Sequence, residues 1–371
     1  MENHSLSSLN IDSDEKSILS RYGFDVTTFT KLRTKLKQGE FSPESNIELA
    51  PISPPQNNDL MPWPIDDATR HTFSLAGQEA INSGDVAVVI LNGGMATRFG
   101  GIVKGVVEVL PNLSFIGLKL RDILKNNSTI PVFLMCSFAT EHDTLEHLDA
   151  KNYFGFPKQN VHLFSQRISI RLTLEGELLR DQQNRISLYA PGHGDIFECL
   201  HADPNFQAFV ASGGKHVFIS NVDNIGAALS PIILGAHLYG GKAVTVEVVK
   251  NDGTDTGGAP VRIRGGLEIL EGFRFPKDFP VATLPAFNTN TMLVDVDTIR
   301  PDYPFTWFRA DKKVDGAQAV QFERLMGQIT SFCSALYLIV PRHDDDSRFQ
   351  PVKTQEDLVN LKEKLLRKTK K

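Results

Sequence analysis

The stretch DVAVVILNGG, residues 85–94, is the part of the sequence that decides the fold. Its unbroken apolar run is typical of a strand buried on both faces, as in a parallel sheet covered by helices on either side. The Asn-Gly-Gly that follows predicts a tight loop directly after the strand. A helix predicted to end at Ser83 and Gly84 leads into this strand, so the local order is helix, strand and glycine-rich loop.

The same alternation continues along the chain. Three further apolar runs predict buried strands: PVFLMCSF (131–138), NVHLF (160–164) and HVFIS (216–220). FIGLKLRDIL (115–124) has the apolar spacing of a helix with one buried face. Strands that alternate with helices predict an α/β fold with a doubly wound, Rossmann-like sheet that is mixed but mostly parallel. Ligands of such sheets bind at the carboxyl ends of the strands.

Three weaker patterns complete the secondary-structure prediction. AVTVEVV (243–249) alternates with a period of two, which favours an antiparallel or edge strand. The apolar spacing across residues 322–329 favours an amphipathic helix. Thr140 followed by Asp143 favours a capping box at the start of a helix.

The chain divides into two parts by composition. Residues 1–70 are polar, with helical spacing in places and a proline-rich stretch, and we predict a helical and extended segment there. Residues 71–371 carry the α/β pattern and end in a basic helical tail. We therefore predict one large α/β domain preceded by a segment that wraps it.

Bulk composition excludes several classes of function. The net charge of −5 over 371 residues argues against a nucleic-acid partner, since phosphate backbones favour basic faces. Three cysteines without paired spacing fit a reducing compartment. The polar, acidic N-terminus is unlike a signal peptide, and the longest apolar runs are strand-sized. We therefore expect a cytoplasmic protein that makes no membrane contact.

The loop after the first strand, LNGGMATRFGGIVKG (91–105), combines glycines with two cations. Glycines let the backbone approach a ligand closely, and Arg98 and Lys104 supply the positive charge that a polyphosphate needs. The spacing matches neither the P-loop nor the dinucleotide fingerprint. A plain tight turn is the alternative interpretation of the glycines.

Two polar positions follow other predicted strands. Asp223 comes directly after a buried strand, and a carboxylate there is able to hold Mg²⁺ between phosphate oxygens. An Asx turn explains the same residue equally well. His193 stands between two glycines, where it is able to present its ring to a base or phosphate, or to serve only the turn.

Several short segments follow one another in a distinctive order along the chain: LNGG (91–94), KGVVEV (104–109), LMCSF (134–138), LFSQ (163–166), PGHGDIF (191–197), SNVDNIGA (220–227), FNTNT (287–291), VDG (314–316), QFE (321–323) and SRFQPVKT (347–354). In this order they resemble the UDP-glucose pyrophosphorylase family, the eukaryotic-type branch of the UTP–sugar-1-phosphate uridylyltransferases. The resemblance covers roughly residues 75–360, and the combination of motifs is specific to that family.

The resemblance implies the fold of nucleotide-diphospho-sugar transferases and a set of site residues. The positions implied to contact the uridine nucleotide are Leu91, Asn92, Gly93, Gly94, Met135, Gln166, Gly192 and His193. The positions implied to act on the phosphates as catalytic cations are Arg98, Lys104 and Lys353.

The same resemblance implies the metal and sugar contacts. Asp223 would hold Mg²⁺, and Asn221 would touch the ribose or the sugar phosphate. Asn288 and Asn290 would read sugar hydroxyls. The implied reaction joins UTP to a sugar 1-phosphate, with glucose 1-phosphate as the first choice, and releases pyrophosphate.

Several features depart from the family pattern. Ala96 and Val103 replace a glycine and a proline of the phosphate loop, and the spacing to Lys104 is one residue shorter. Family members continue into a C-terminal β-helix used in assembly, and this sequence resembles a shorter form without it. We therefore expect a monomer or a weak oligomer whose partners are UTP and a sugar 1-phosphate.

Three alternatives stay open at this point. An N-acetylhexosamine 1-phosphate or a range of sugar phosphates would require only a different pocket size. A non-catalytic uridine-nucleotide binder would fit the altered loop, although Lys104, Asp223 and Lys353 together argue against it. A retaining glycosyltransferase would need an Asp-x-Asp motif, and residues 221–223 offer Asn-Val-Asp instead.

Overall fold

The computed structural model describes residues 6–56, 58–94, 102–253, 255, 257–343 and 346–368. Its α-helices are α1 (Ser13–Arg21), α2 (Val26–Lys37), α3 (Asp67–Asn82), α4 (Phe115–Asn126), α5 (Glu141–Ala150), α6 (Ile196–His201), α7 (Pro204–Ala211), α8 (Pro231–Gly240) and α9 (Gln355–Lys368). Its strands are β1 (Ile52–Ser53), β2 (Leu60–Met61), β3 (Val86–Leu91), β4 (Glu108–Leu110), β5 (Leu113–Ser114), β6 (Val132–Cys136), β7 (Val161–Ser165), β8 (Ser169–Ile170), β9 (Leu188–Tyr189), β10 (His216–Asn221), β11 (Val244–Lys250), β12 (Ala259–Ile263), β13 (Gly266–Leu270), β14 (Ala286–Asp295), β15 (Phe308–Val314), β16 (Ala317–Glu323) and β17 (Ala335–Ile339).

Among the described residues, eight strands form the central sheet, in the order β2-β17-β11-β14-β10-β3-β6-β7. Neighbouring strands are parallel except where β14 pairs antiparallel with β10 on one side and β11 on the other. The predicted mixed, mostly parallel sheet is therefore confirmed.

Both faces of this sheet are buried, as the apolar run of β3 predicted. Val86, Val88 and Ile90 point into a cluster that also contains side chains of α3, α4 and α8. The intervening residues Ala87 and Val89 point into a second cluster with side chains of α6 and α7. Helices on both faces give the doubly wound arrangement, because consecutive strand residues face opposite sides.

Helices α3 and α8 pack on each other through their backbones. A Cβ on Gly77 would lie 1.9 Å from the carbonyl oxygen of Pro231, and one on Gly235 would lie 2.0 Å from that of Phe73. Neither position has room for a side chain, so these two glycines fix the separation of the helices.

The N-terminal segment packs on the same body. Leu32 and Leu36 of α2 share a buried cluster with Leu172 and with Val320 and Phe322 of β16. The short strand β2 joins the central sheet beside β17. Within the ranges described, no helix is both long and apolar enough to cross a membrane.

The predicted helix over residues 322–329 is wrong. Phe322 lies in β16, and a 3-10 helix runs over Met326–Ser331. Phe322 belongs to the cluster under the N-terminal helices, whereas Met326 and Ile329 belong to the second cluster of the central sheet. The helix-like spacing therefore arises because consecutive elements pack into two different hydrophobic clusters. The apolar residues do not share one helical face.

Of the two alternatives predicted for residues 243–249, the antiparallel strand is confirmed and the edge position is wrong. Strand β11 lies inside the sheet, antiparallel to β14 and parallel to β17. Its alternation comes from Thr245 and Glu247, which are both buried and satisfied by hydrogen bonds to His237 and Arg348. Buried polar residues that have hydrogen-bond partners therefore give the same alternating pattern as residues that face solvent.

Helix α5 begins after Thr140, as predicted, but without the predicted capping box. The Thr140 hydroxyl accepts a hydrogen bond from the backbone N–H of Ser137 at 2.9 Å instead of one from the first turn of α5. The hydroxyl therefore stabilises the turn before the helix.

Candidate active site

A cleft of about 450 Å³ opens at the carboxyl ends of β3, β6 and β10. Ten residues predicted from the sequence line it: Leu91, Gly93, Gly94, Lys104, Met135, Gln166, Gly192, His193, Asn221 and Asp223. The strand register brings them together, because Leu91 pairs with Asn221 on one side and with Met135 on the other. Loops that leave three adjacent strands therefore open into the same space.

Lys104 and Asp223 form an ion pair in this cleft, with 2.5 Å between Nζ and Oδ2. Lys104 begins a short 3-10 helix after the glycine-rich loop, and Asp223 follows β10. The side chains are 22% and 18% exposed, so both are accessible to a ligand in the cleft. A cation and a carboxylate side by side suit a polyphosphate that carries a divalent metal ion.

The donor set at Asp223 fits Mg²⁺. Mg²⁺ prefers oxygen ligands and usually needs only one or two protein carboxylates when phosphate oxygens complete its shell. Asp223 offers such a carboxylate at the wall of the cleft. The Lys104 ammonium group contacts this carboxylate. A metal ion bound to Asp223 would either displace the ammonium group or bind the carboxylate together with it.

Gln166 has a fixed orientation at the base of the cleft. Its Nε2 donates to the carbonyl oxygen of Gly192 at 2.8 Å, and its backbone N–H donates to Cys136 O at 2.8 Å. A Cβ on Gly93 would lie 2.1 Å from Gln166 Oε1. Gly93 is therefore required for the amide to lie flat against the loop, with Oε1 left as an acceptor.

His193 is held as a neutral imidazole. Its Nδ1 accepts a hydrogen bond from the backbone N–H of Met326 at 3.0 Å, which places the ring proton on Nε2. Burial lowers the pKa of His193 to about 4. The side chain therefore offers an uncharged N–H donor to the cleft at neutral pH.

Asn92 lies behind the cleft and not in its wall. The side chain is 2% exposed, and Nδ2 donates to Thr144 Oγ1 at 2.8 Å. Among the described residues its Oδ1 has no hydrogen-bond partner, and a Cβ on Gly105 would lie 2.1 Å from that oxygen. The structure thus places Asn92 as a link between the phosphate loop and α5.

The FNTN segment reaches the cleft through one side-chain contact. A register shift opposite Glu247 and Val248 makes β14 bulge, and Asn290 there has a left-handed backbone with φ of 58°. Asn290 Nδ2 donates to Asn221 Oδ1 at 3.0 Å, while Asn288 Oδ1 accepts from the Asn290 backbone N–H at 3.0 Å. Neither asparagine lines the cleft itself.

Glu271, whose side chain is partly exposed, lies next to this bulge, and desolvation raises the pKa of its carboxyl to about 7. A Cβ on Gly258 would lie 3.1 Å from Glu271 Oε2, and Gly258 O accepts from the Asn288 backbone N–H at 2.8 Å. Glu271 itself does not line the cleft.

Lys353 is exposed at the rim of the cleft, on a segment that lies beside the loop after β10. Val352 N–H donates to Asp223 O at 3.1 Å, and Pro351 pairs with Asn224. Asp357 accepts from the backbone N–H groups of Lys353 and Thr354 at the start of α9. The structure brings Lys353 next to the site loop but not into the lining, and Arg98 and Ala96 lie outside the described residues.

Two buried basic side chains, Lys119 and Arg348, support the loop that carries Asn221 and Asp223. Lys119 of α4 donates to Ala227 O at 2.6 Å and to Ser220 Oγ at 3.1 Å. Arg348 donates to Ala228 O at 2.8 Å. Arg348 also makes two hydrogen bonds to Glu247, at 2.6 and 2.7 Å, in a pair that is 9% and 1% exposed. Charge-assisted bonds of this kind restrict the loop from below.

With this geometry established, comparison with known proteins identifies the family. The family model described as UTP–glucose-1-phosphate uridylyltransferase matches residues 26–371. The chain belongs to that family. The match includes every segment that lines the cleft.

Curated members of the uridylyltransferase family are similar over most of the chain. The UTP–glucose-1-phosphate uridylyltransferase of Saccharomyces cerevisiae is 29% identical over 352 residues, which cover 88% of this chain and 68% of that protein. The enzyme of the same name from Solanum tuberosum is 28% identical, covering 85% of this chain and 68% of its own length.

Solved structures show the same fold. A uridine diphosphate N-acetylglucosamine pyrophosphorylase from Trypanosoma brucei superposes with a TM-score of 0.77 at 18% identity, covering 94% of this chain and 79% of that one. A UDP-glucose pyrophosphorylase from Leishmania major gives a TM-score of 0.71 at 23% identity, covering 95% and 79%. The fold predicted from the sequence is that of these nucleotide-sugar pyrophosphorylases.

In this family member part of the cleft lining comes from residues to which the sequence analysis assigned no role, although QFE (321–323) is among the segments that carry the resemblance. Lys312 of β15 and Gln321 and Glu323 of β16 line the cleft, together with Thr140. Gln321 Nε2 donates to Glu323 Oε1 at 2.6 Å, and Lys312 Nζ lies 3.4 Å from the same oxygen. The signal was the Asp-Gly at 315–316, where both residues have positive φ, as a tight hairpin requires.

Proposed function

We propose that this chain transfers the uridylyl group of UTP to glucose 1-phosphate and releases pyrophosphate. Membership of the uridylyltransferase family supports the reaction. The observation that carries it is the meeting of ten predicted residues in one cleft, with an ion pair of Lys104 and Asp223 at its wall.

In the proposed reaction a phosphate oxygen of glucose 1-phosphate attacks the α-phosphorus of UTP in line. A new P–O bond forms, the bond from the α-phosphorus to the oxygen that bridges it to the β-phosphorus breaks, and pyrophosphate leaves with that electron pair. The attacking monoester is already ionised at neutral pH, so no general base is required. Catalysis then consists of positioning and charge stabilisation.

Each part of the cleft has a role in this proposal. Gln166 Oε1 accepts from a ring N–H of uracil, because Nε2 is already bonded to Gly192. The neutral His193 donates from Nε2 to the nucleotide. Lys104 faces the phosphates, and Lys353 and Arg98 add positive charge from the rim and the glycine-rich loop.

We also propose that Asp223 binds Mg²⁺. The ion would neutralise charge on the phosphates and on the departing pyrophosphate. Asn288 and Asn290 are proposed to read the sugar from the side of β14. A cytoplasmic location and a monomeric or weakly oligomeric state stay predictions.

The assay incubates the protein with UTP, Mg²⁺ and one of several sugar 1-phosphates and follows pyrophosphate release. We expect the highest kcat/KM with glucose 1-phosphate. A preference for N-acetylglucosamine 1-phosphate would overturn the substrate assignment but not the reaction. Tight UTP binding without pyrophosphate release with any sugar 1-phosphate would overturn the proposal that the chain is an enzyme.

Lys104→Met measures the contribution of the cleft cation. We expect kcat to fall by at least about 100-fold, since a charged contact to transferring phosphate is worth several kcal/mol in the transition state. Lys31→Met, on the exposed face of α2, is the matched control and should leave kcat unchanged. Equal activity of the two variants would remove Lys104 from the mechanism.

A further inference from the structure

Two histidines and an aspartate meet at the end of the sheet opposite the cleft. His216 begins β10, Asp295 ends β14, and the two residues pair directly across the antiparallel strands. His237 reaches the same point from α8. The three ligand atoms lie within 4.8 Å of one another. Asn221, at the cleft, is five positions further along β10 than His216, a distance of roughly 16 Å.

The spacing of these atoms is close to that of a metal shell. Asp295 Oδ1 lies 2.9 Å from His216 Nδ1 and 3.0 Å from His237 Nε2. Two ligands bound to one zinc ion at about 2.0–2.1 Å are roughly 2.9–3.4 Å apart. The two nitrogens, within 4.8 Å, need to approach by no more than about 1.4 Å for tetrahedral spacing.

Support from a neighbouring side chain also matches a metal site. His237 is 2% exposed, and its Nδ1 lies 2.8 Å from Thr245 Oγ1. A second hydrogen bond of this kind orients a ligating imidazole. Asp295 is 39% exposed, which leaves one side open to water.

We propose that His216, His237 and Asp295 bind a divalent transition-metal ion, with Zn²⁺ as the first choice. Two imidazoles and one carboxylate suit zinc, whereas Mg²⁺ prefers oxygen ligands. The ion would connect α8 to the ends of β10 and β14, far from the cleft. The site is independent of the proposed reaction and of any magnesium at Asp223.

Zinc binding by the full chain is the first measurement. Protein treated with a chelator and freed of it is titrated with Zn²⁺ by calorimetry, and bound metal is counted by elemental analysis. We expect one zinc ion per chain and a higher melting temperature with zinc, since the ion binds only the folded state. Absence of binding at micromolar free zinc would overturn the proposal.

Variants then locate the ion. Asp295→Asn should abolish zinc binding, and Thr245→Val should weaken it by about 10- to 100-fold through loss of the support to His237. Asp223→Asn is the control in the cleft and should leave zinc affinity unchanged. If Asp295→Asn fails to fold, Thr245→Val still decides. Zinc lost with Asp223→Asn, or retained at full affinity in both other variants, would place the ion elsewhere.

Discussion

Lys119→Met tests the buried amine beneath the loop that carries Asn221 and Asp223. Lys119 is 3% exposed, and burial lowers its pKa from 10.5 to about 7. Below about pH 7 the folded protein therefore holds a buried ammonium group. Above that pH the amine is neutral in the folded state, while in the unfolded chain it stays charged up to about pH 10.4.

The shift sets the size and the sign of the effect. Each pH unit between the two pKa values is worth about 1.4 kcal/mol. The cost of burying Lys119 is thus roughly 5 kcal/mol below about pH 7 and roughly 2 kcal/mol at pH 9. Stability rises with pH in this window because the unfolded chain binds more protons. Methionine cannot make the hydrogen bonds to Ala227 and Ser220. Their loss lowers the unfolding free energy of the variant by about 1–3 kcal/mol at every pH.

Urea unfolding of wild type and Lys119→Met at pH 6 and pH 9 measures the difference. Between these pH values we expect the wild type to gain about 3 kcal/mol in unfolding free energy relative to the variant. Lys31→Met is the control at an exposed lysine. Its unfolding free energy should differ from that of the wild type by the same amount at pH 6 and at pH 9. A Lys119→Met difference that changes by less than about 0.5 kcal/mol would refute titration of the buried amine.

Three further substitutions test the cleft and its support. Lys353→Ala should lower kcat with saturating substrates by about 10-fold or more, and a rate within a few-fold of wild type would remove its assigned role. Gly93→Ala should raise KM for UTP by about 10-fold, because its Cβ would displace Gln166, and an unchanged KM would refute that contact. Arg348→Met should cost about 3–5 kcal/mol in urea unfolding by leaving Glu247 unpaired. The double variant with Glu247→Gln should recover most of that loss, and failure to recover would refute the ion-pair argument.

The strands of the site were predictable because each is apolar on both faces. Runs such as residues 85–94 and 216–220 have one stable environment, the middle of a helix-covered sheet. Once those strands were placed, the loops after them had to meet at one edge. That reasoning found Lys104 and Asp223 as well as the glycine turn.

What the sequence did not predict depends on contacts between distant segments. Thr245 and Glu247 look solvent-facing until His237 and Arg348 are placed beside them. Lys119 looks like the polar face of a helix, yet the loop after β10 covers it. Local patterns carry no record of such pairs, because the partner decides whether a polar side chain is buried.

Strand β14 has a consequence for how the protein matures on the ribosome. It is synthesised after both of its sheet neighbours, β10 and β11, and lies between them. Until residue 295 emerges, β10 ends the nascent sheet with an unpaired edge, and β11 has no neighbour to join it to the parallel half. The half that contains β3, β6 and β7 is therefore free to assemble first.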